Sequence, residues 1–346
     1  MRPLTLRRLL WTCAFLAALL FAVVVVALKL GAVPVSLYGL ARDLISVALG
    51  RSSELSSDYG VIVIGIRLPR ILLGMLVGAS LAVAGSSFQA LLRNPLADPY
   101  VLGVSSGSAL GAILAIIVGP HLNLSSLATT LLTPIGAFLG AIATIAAVYF
   151  LGRREGQIDS GTLLLAGIIS ASFLSAVIMF LMTTLPGREL RGMAFWLMGD
   201  LSTPPLPNIL WLIAAGFFVA AGAVYTTAAD LNLLLAGEQE AIHLGVDVTR
   251  VRLVVYIAAS LLTGVAVSFS GAIGYVGLLV PHVMRLLFGS DYRLLLPTAA
   301  IGGAIAVVVA DTLARTVVAP AELPVGAMTA MAGAPLFIYL LRRRLA

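Results

Sequence analysis

The stretch ADLNLLLAGEQEAIHLGVDVTRVR, residues 229–252, is a polar island in an otherwise apolar second half of the chain. Uncharged runs flank it at 208–228 and 253–271, so the island reads as a water-facing connection between two membrane spans. Gly237 and Gly245 bracket a segment long enough for about two helical turns. Glu238 and Glu240 fall in its first turn and His243 in its last, the order that the helix dipole favours. Ala241 and Leu244 are three apart and share a face. A short amphipathic helix of this kind is shaped to dock on something soluble. The pattern alone also fits a solvated loop that only joins two spans.

The bulk chemistry agrees with a lipid-embedded chain. Of 346 residues, 60% are apolar and 10% charged, and the mean hydropathy is +1.09. Soluble domains carry about 25% charged residues, so a chain this poor in charge cannot cover a water-facing surface. The net charge of +6 comes from cations scattered at the ends of apolar runs, which argues for membrane anchoring and against nucleic acid. The single cysteine, Cys13, excludes an intrachain disulfide and lies in the first apolar run as a small apolar residue.

That first run, Leu9 to Leu28, follows Arg2, Arg7 and Arg8. It exceeds the roughly 7–15 residues of a signal-peptide core and matches the ~20 of a spanning helix, so a retained first span is expected. Further spans are expected near 71–92, 101–119, 127–151, 161–185, 208–228, 253–271, 273–288, 294–314 and 325–341, making ten. Backbone polar groups in lipid must be satisfied within a segment, so the fold class is all-α and polytopic, one transmembrane domain over residues 1–346. With the N-terminus inside, thirteen Lys and Arg residues face inward and eight outward, accounting for all 21. This bias puts both termini, and the polar island, in the cytoplasm.

Arg67, Arg70 and Arg315 then stand at outer mouths of spans. They fit snorkelling to head groups, with Asp311 neutralising Arg315, and they also fit a basic ring for an acidic partner. The octets Gly78–Gly85 and Gly264–Gly271 place small residues at both ends in oppositely directed spans. This suits an inverted repeat or ordinary close packing. A translocation path is expected to be lined by Ser80, Ser86, Ser87 and Gln89 of the second span, and by Ser170, Ser172 and Ser175 of the fifth.

Several motifs follow one another in order: RLPR (67–70), GSSFQ (85–89), RNPLADP (93–99), LGVSSG (102–107), WLMG (196–199), GEQEAIHLGV (237–246), GAIGYVGLLVPH (271–282), ELPVG (322–326) and GAPLF (333–337). Together they cover nearly the whole chain. In this the chain resembles the FecCD permeases, the membrane subunits of importers for iron–siderophore, haem and cobalamin, with the BtuC-like fold. The resemblance implies a dimer with a second copy or a homologous permease, two cytoplasmic ATPase subunits and an extracytoplasmic substrate-binding protein. It implies that Gly237–Val246, with Glu238, Ala241, Leu244 and Gly245, is a coupling helix seated in the ATPase. By the same resemblance Arg67, Arg70 and Arg315 pair with glutamates of the binding protein, and Ser160 and Gly161 narrow a cytoplasmic gate.

The chain contains no Gly-x-x-x-x-Gly-Lys-[Ser/Thr] loop, so ATP hydrolysis must belong to a partner, and no cofactor is implied. His121, His243 and His282 are far apart in sequence, and His282 reads as a contact at the helix break after Pro281. An ion-coupled secondary transporter is the rival reading. It needs a carboxylate or histidine relay near mid-membrane, and the sequence offers only Asp311, close to an outer end.

Overall fold

The computed structural model describes the chain except residues 1–3, 32–38, 40–44, 46–60, 123–124, 155–156, 185–186 and 346. Helices occupy Leu6–Lys29 (α1), Leu68–Leu91 (α2), Val104–Val118 (α3), Ser126–Leu151 (α4), Ser160–Thr184 (α5) and Gly187–Leu197 (α6). They continue with Pro207–Thr226 (α7), Ala228–Ala236 (α8), Glu238–His243 (α9), Val248–Ser270 (α10), Val276–Phe288 (α11), Tyr292–Thr316 (α12) and Val325–Leu345 (α13). A minimal antiparallel hairpin pairs Arg153–Arg154 (β1) with Gln157–Ile158 (β2).

Among the described residues, eight helices are long and apolar enough to cross a membrane, and α11 and α13 are shorter apolar helices at the eighth and tenth expected positions. The ten expected spans thus all fall on apolar helix. The span expected at 101–119 is interrupted near its start. A 3-10 turn, Pro99–Leu102, is capped by Asp98 and leads through Gly103 at φ +75° into α3. The short helices α6, α8 and α9, a 3-10 turn at Gly119–His121 and a π-helical lead-in at Val61–Arg67 complete the described elements.

The second span is the axis of the molecule. Including its lead-in it runs over 30 residues, Ile62–Leu91, and 83% of its most apolar window is buried, against 17% for α5. Small residues make that burial workable. A methyl on Gly78 would overlap the Gly303 carbonyl of α12, and one on Gly85 the Gly277 carbonyl of α11. The pair α3 and α4 meets the same way, Gly107 against Gly140 and Gly111 against Gly136. With little hydrophobic drive between helices in lipid, such close approach supplies the packing. In the first octet both glycines are contact points between helices. Gly264 faces Ala141, whereas Gly271, at φ +63°, makes a turn.

Three of the sequence motifs turn out to be one junction. Asp200 N–H donates to Ser270 O at 2.7 Å and Val325 N–H to Gly199 O at 3.0 Å. The Tyr100 hydroxyl donates to Ile273 O and accepts from Ile273 N–H, at 2.8 and 2.9 Å. Non-helical backbone inside a membrane protein must be satisfied by protein. Here ELPVG bonds directly to WLMG, the residues just after WLMG and just before GAIG bond to each other, and Tyr100 satisfies Ile273 of GAIG, with Gly199 at φ +82°.

Candidate functional site

The polar island folds as α8, α9 and the start of α10. Gly245 at φ +85° terminates α9, and Asp247 caps α10 by accepting from Arg250 N–H at 3.0 Å. One expectation about this helix needs correcting. Ala241 does not share an outward face with Leu244: Ala241 is fully buried and Leu244 is 66% exposed, with Ile242 at 49% beside it. The six-residue helix lies against the rest of the chain, so its fourth residue, Ala241, points inward while its C-terminal residues project. The exposed apolar face is therefore Ile242 and Leu244, flanked by the exposed Gln239, Glu240 and His243.

Glu238 opens α9 and is held. Its Oε2 accepts from Arg252 Nη2 at 2.7 Å and from Arg93 Nη2 at 3.3 Å. The expected gate segment lies close by. Asp159 caps α5, with its Oδ1 accepting from Thr162 N–H at 2.8 Å, so Ser160 and Gly161 are the first residues of a helix, not the middle of a loop. The Ser160 hydroxyl donates to Leu91 O at 2.9 Å, and Gly161 is exposed.

At the other end of α2 the three arginines are buried, each 5–6% exposed. The helix begins at Val61, not after Arg70, so Arg67 and Arg70 lie inside it. Arg70 bonds Asp311 at 2.9 Å and Glu322 at 2.8 Å, and Arg315 Nε lies 3.0 Å from Asp311 Oδ2. Glu322 is half exposed while Asp311 is not. Arg315 Nη2 has no hydrogen-bond partner among the described residues. Arg67 donates to Leu28 O at 2.8 Å and Lys29 O at 3.4 Å, capping the carbonyl end of α1 where the dipole favours a cation. Arg42 and Arg51, counted among the outer cations, lie outside the described residues.

The expected lining from the second span also needs correcting. Ser80, Ser86, Ser87 and Gln89 are all at most 2% exposed. The Ser86 and Ser87 hydroxyls donate to carbonyls of their own helix, Ala82 and Val83. Gln89 donates to Leu278 O and accepts from Arg285. Sequence pattern cannot tell a polar residue facing a path from one whose hydroxyl folds back onto the preceding turn. The fifth span is different. Ser170 is half-buried, Ser172 and Ser175 are exposed, and they share α5 with the exposed Leu165, Ile169 and Phe173. His282 is buried in α11. No cluster of metal-ligating side chains occurs among the described residues.

The sequence profile of the FecCD transport family matches residues 14–343. The Cobalamin import system permease protein BtuC of Halobacterium salinarum is 41% identical over 347 residues, covering 99% of this chain and 90% of that protein. The Bacillus subtilis ABC transporter permease protein YvrB is 43% identical over 299 residues, 85% of this chain and 83% of its own. The Hemin transport system permease protein HmuU of Yersinia pestis is 42% identical over 288 residues, with 81% and 83% covered. A solved chain described as an inward-facing conformation of a metal-chelate type ABC transporter superposes with a TM-score of 0.82 at 31% identity, covering 96% of this chain and 98% of that one.

Proposed function

Because the chain belongs to the FecCD transport family, we propose that it is the transmembrane permease subunit of an ATP-binding cassette importer. It moves a metal chelate, of the ferric siderophore, haem or cobalamin type, from an extracytoplasmic binding protein into the cytoplasm. The observation that carries this reading is α9. It is a short helix at the polar island that presents Ile242 and Leu244 bare, with its glutamate pinned to the subunit.

In this reading two ATPase subunits seat on α9, through Leu244 and the Gly237–Gly245 frame. A second copy, or a homologous permease, covers the bare face of α5. The path then runs along Ser170, Ser172 and Ser175 at that face, and Ser160 and Gly161 narrow its cytoplasmic end. Both termini are cytoplasmic, and the protein is a multi-pass component of the cell membrane. Arg67, Arg70 and Arg315 attract the binding protein's carboxylates, with Glu322 as the solvent-side member of their cluster. The rival reading as an ion-coupled transporter lacks a relay, because Asp311 is neutralised by Arg70 and Arg315.

The test is uptake into proteoliposomes holding the permease, its cognate ATPase and its binding protein, with a panel of chelates. Uptake must require internal ATP and survive collapse of the proton gradient. Uptake driven by a pH gradient without ATP overturns the reading.

A further inference from the structure

Four contacts on the cytoplasmic side close into a ring. Arg252 of α10 binds Glu238 through Nη2 at 2.7 Å, and its Nη1 donates to Ile158 O at 3.4 Å. Ile158 is buried and ends β2, two residues before Ser160. The Ser160 hydroxyl donates to Leu91 O, the last residue of α2. Two residues on, Arg93 returns to the same Glu238 oxygen at 3.3 Å. Arg93 holds φ +48°, a backbone conformation uncommon outside glycine, which aims the chain back toward α9.

The ring joins three elements that sequence leaves far apart: the docking helix α9, the hairpin that leads into α5, and the end of the axial helix α2. Arg252 is its hub. A guanidinium has a rigid fork of donors, so one side chain can hold a carboxylate with one nitrogen and a carbonyl with another. Its side chain is 14% exposed, which shields both bonds from water. The 3.4 Å bond to Ile158 is the longest in the ring and the first to yield when Glu238 is displaced.

We propose that Arg252 is a positioning residue that ties the docking helix to the gate hairpin, so that displacement of Glu238 by the ATPase releases or resets the Ile158 carbonyl. This inference rests on the reading of the chain as an importer permease. A purely structural ion pair would fix α9 to α10 and do nothing more. The two roles separate in the ratio of chelate taken up to ATP hydrolysed.

The test uses the full complex in proteoliposomes, with Arg252→Lys, Glu238→Gln and the double variant. Lysine keeps the charge that faces Glu238 but is a compact head without the fork. Uptake per ATP should fall about tenfold in each single variant, with the double variant no worse, the non-additivity expected of residues in one network. For Arg252→Lys, complex yield, thermal stability and ATP hydrolysis should stay within about twofold, the scatter of an intact assembly. Unchanged uptake per ATP in Arg252→Lys overturns the proposal. So does a parallel loss of uptake, hydrolysis and complex yield, which marks a structural pair only. Failure of the unsubstituted complex to take up any chelate with ATP overturns the importer reading itself, and the two failures are told apart by that control.

Discussion

Arg70 directs both Nε and Nη2 at the same oxygen of Asp311, each at 2.9 Å, across two helices separated by most of the chain. Asp311 also faces Arg315, so one buried carboxylate compensates two buried guanidinium groups. Removing one partner of such a cluster leaves an uncompensated buried charge. Asp311→Ala should therefore destabilise the fold by about 3–5 kcal/mol. Thermal unfolding in detergent reads the loss. An Asp311→Ala protein as stable as the parent would mean that water already screens the cluster.

Glu322 is the exposed member of that cluster and occupies Arg70 Nη1. If the arginines receive a carboxylate from a binding protein, Glu322 is its competitor. Glu322→Gln should raise the association rate a few-fold at low salt, an advantage that fades as ionic strength rises. Surface plasmon resonance at two salt concentrations checks it. A rate indifferent to both the substitution and the salt removes these arginines from docking.

The proposed docking role of α9 allows a paired test. Leu244→Arg alters a bare side chain and should abolish ATPase co-purification with the permease still folded. Ala241→Arg forces a long cation into a site with no free surface and should instead destabilise the region by several kcal/mol. Co-purification together with thermal stability separates the two effects. Normal complex yield in Leu244→Arg would move the interface elsewhere.

Asp291 supplies a pH dependence with a definite sign. It caps α12, accepts from Arg293, and takes a bond from Asn232 of α8 at 2.8 Å. The hydrogen bond from Arg293, followed by that from Asn232, holds its carboxyl below the usual range despite partial burial. A depressed carboxyl contributes stability that is complete above the unfolded value, about 3.9, and is lost as pH falls through the folded one. Melting temperature should be insensitive to this group between about pH 5 and 7 and drop below about pH 4. Asp291→Asn should flatten that part of the acid limb. An unaltered acid limb refutes the assignment.

Ser160→Cys, with Cys13 replaced, should crosslink across the dimer axis in a nucleotide-dependent way, since neither Ser160 nor Gly161 has bulk. The Cα atoms must approach within about 7 Å. The substitution also removes the hydroxyl bond to Leu91. Absence of crosslinking in every nucleotide state places the narrowing elsewhere.

The helices were legible from sequence because apolar runs near spanning length have no other solution in lipid. The polar island was legible for the same reason in reverse. What escaped was direction. Ala241 and Leu244 have the right spacing for one face, yet a helix of under two turns rests on the subunit and turns them apart. Ser86 and Ser87 look like lining and are instead folded onto their own backbone. The junction of Gly199, Gly271 and Val325 joins segments with no local pairing signal, so its motifs could be seen but not connected.

The partnership of Arg70 and Asp311 also has a history within each round of synthesis. The two residues are 241 positions apart. At about 5–20 residues per second, the arginine is made roughly ten to fifty seconds before its counter-ion exists. During that interval the nascent second span carries an unneutralised cation, a burden of up to ~2.5–3.5 kcal/mol at the bilayer centre and less toward the boundary. The groove that Gly78 keeps for Gly303 is equally vacant. Insertion machinery must therefore shelter this helix, or leave its arginine end at the water boundary, until the ninth span emerges from the ribosome and completes it.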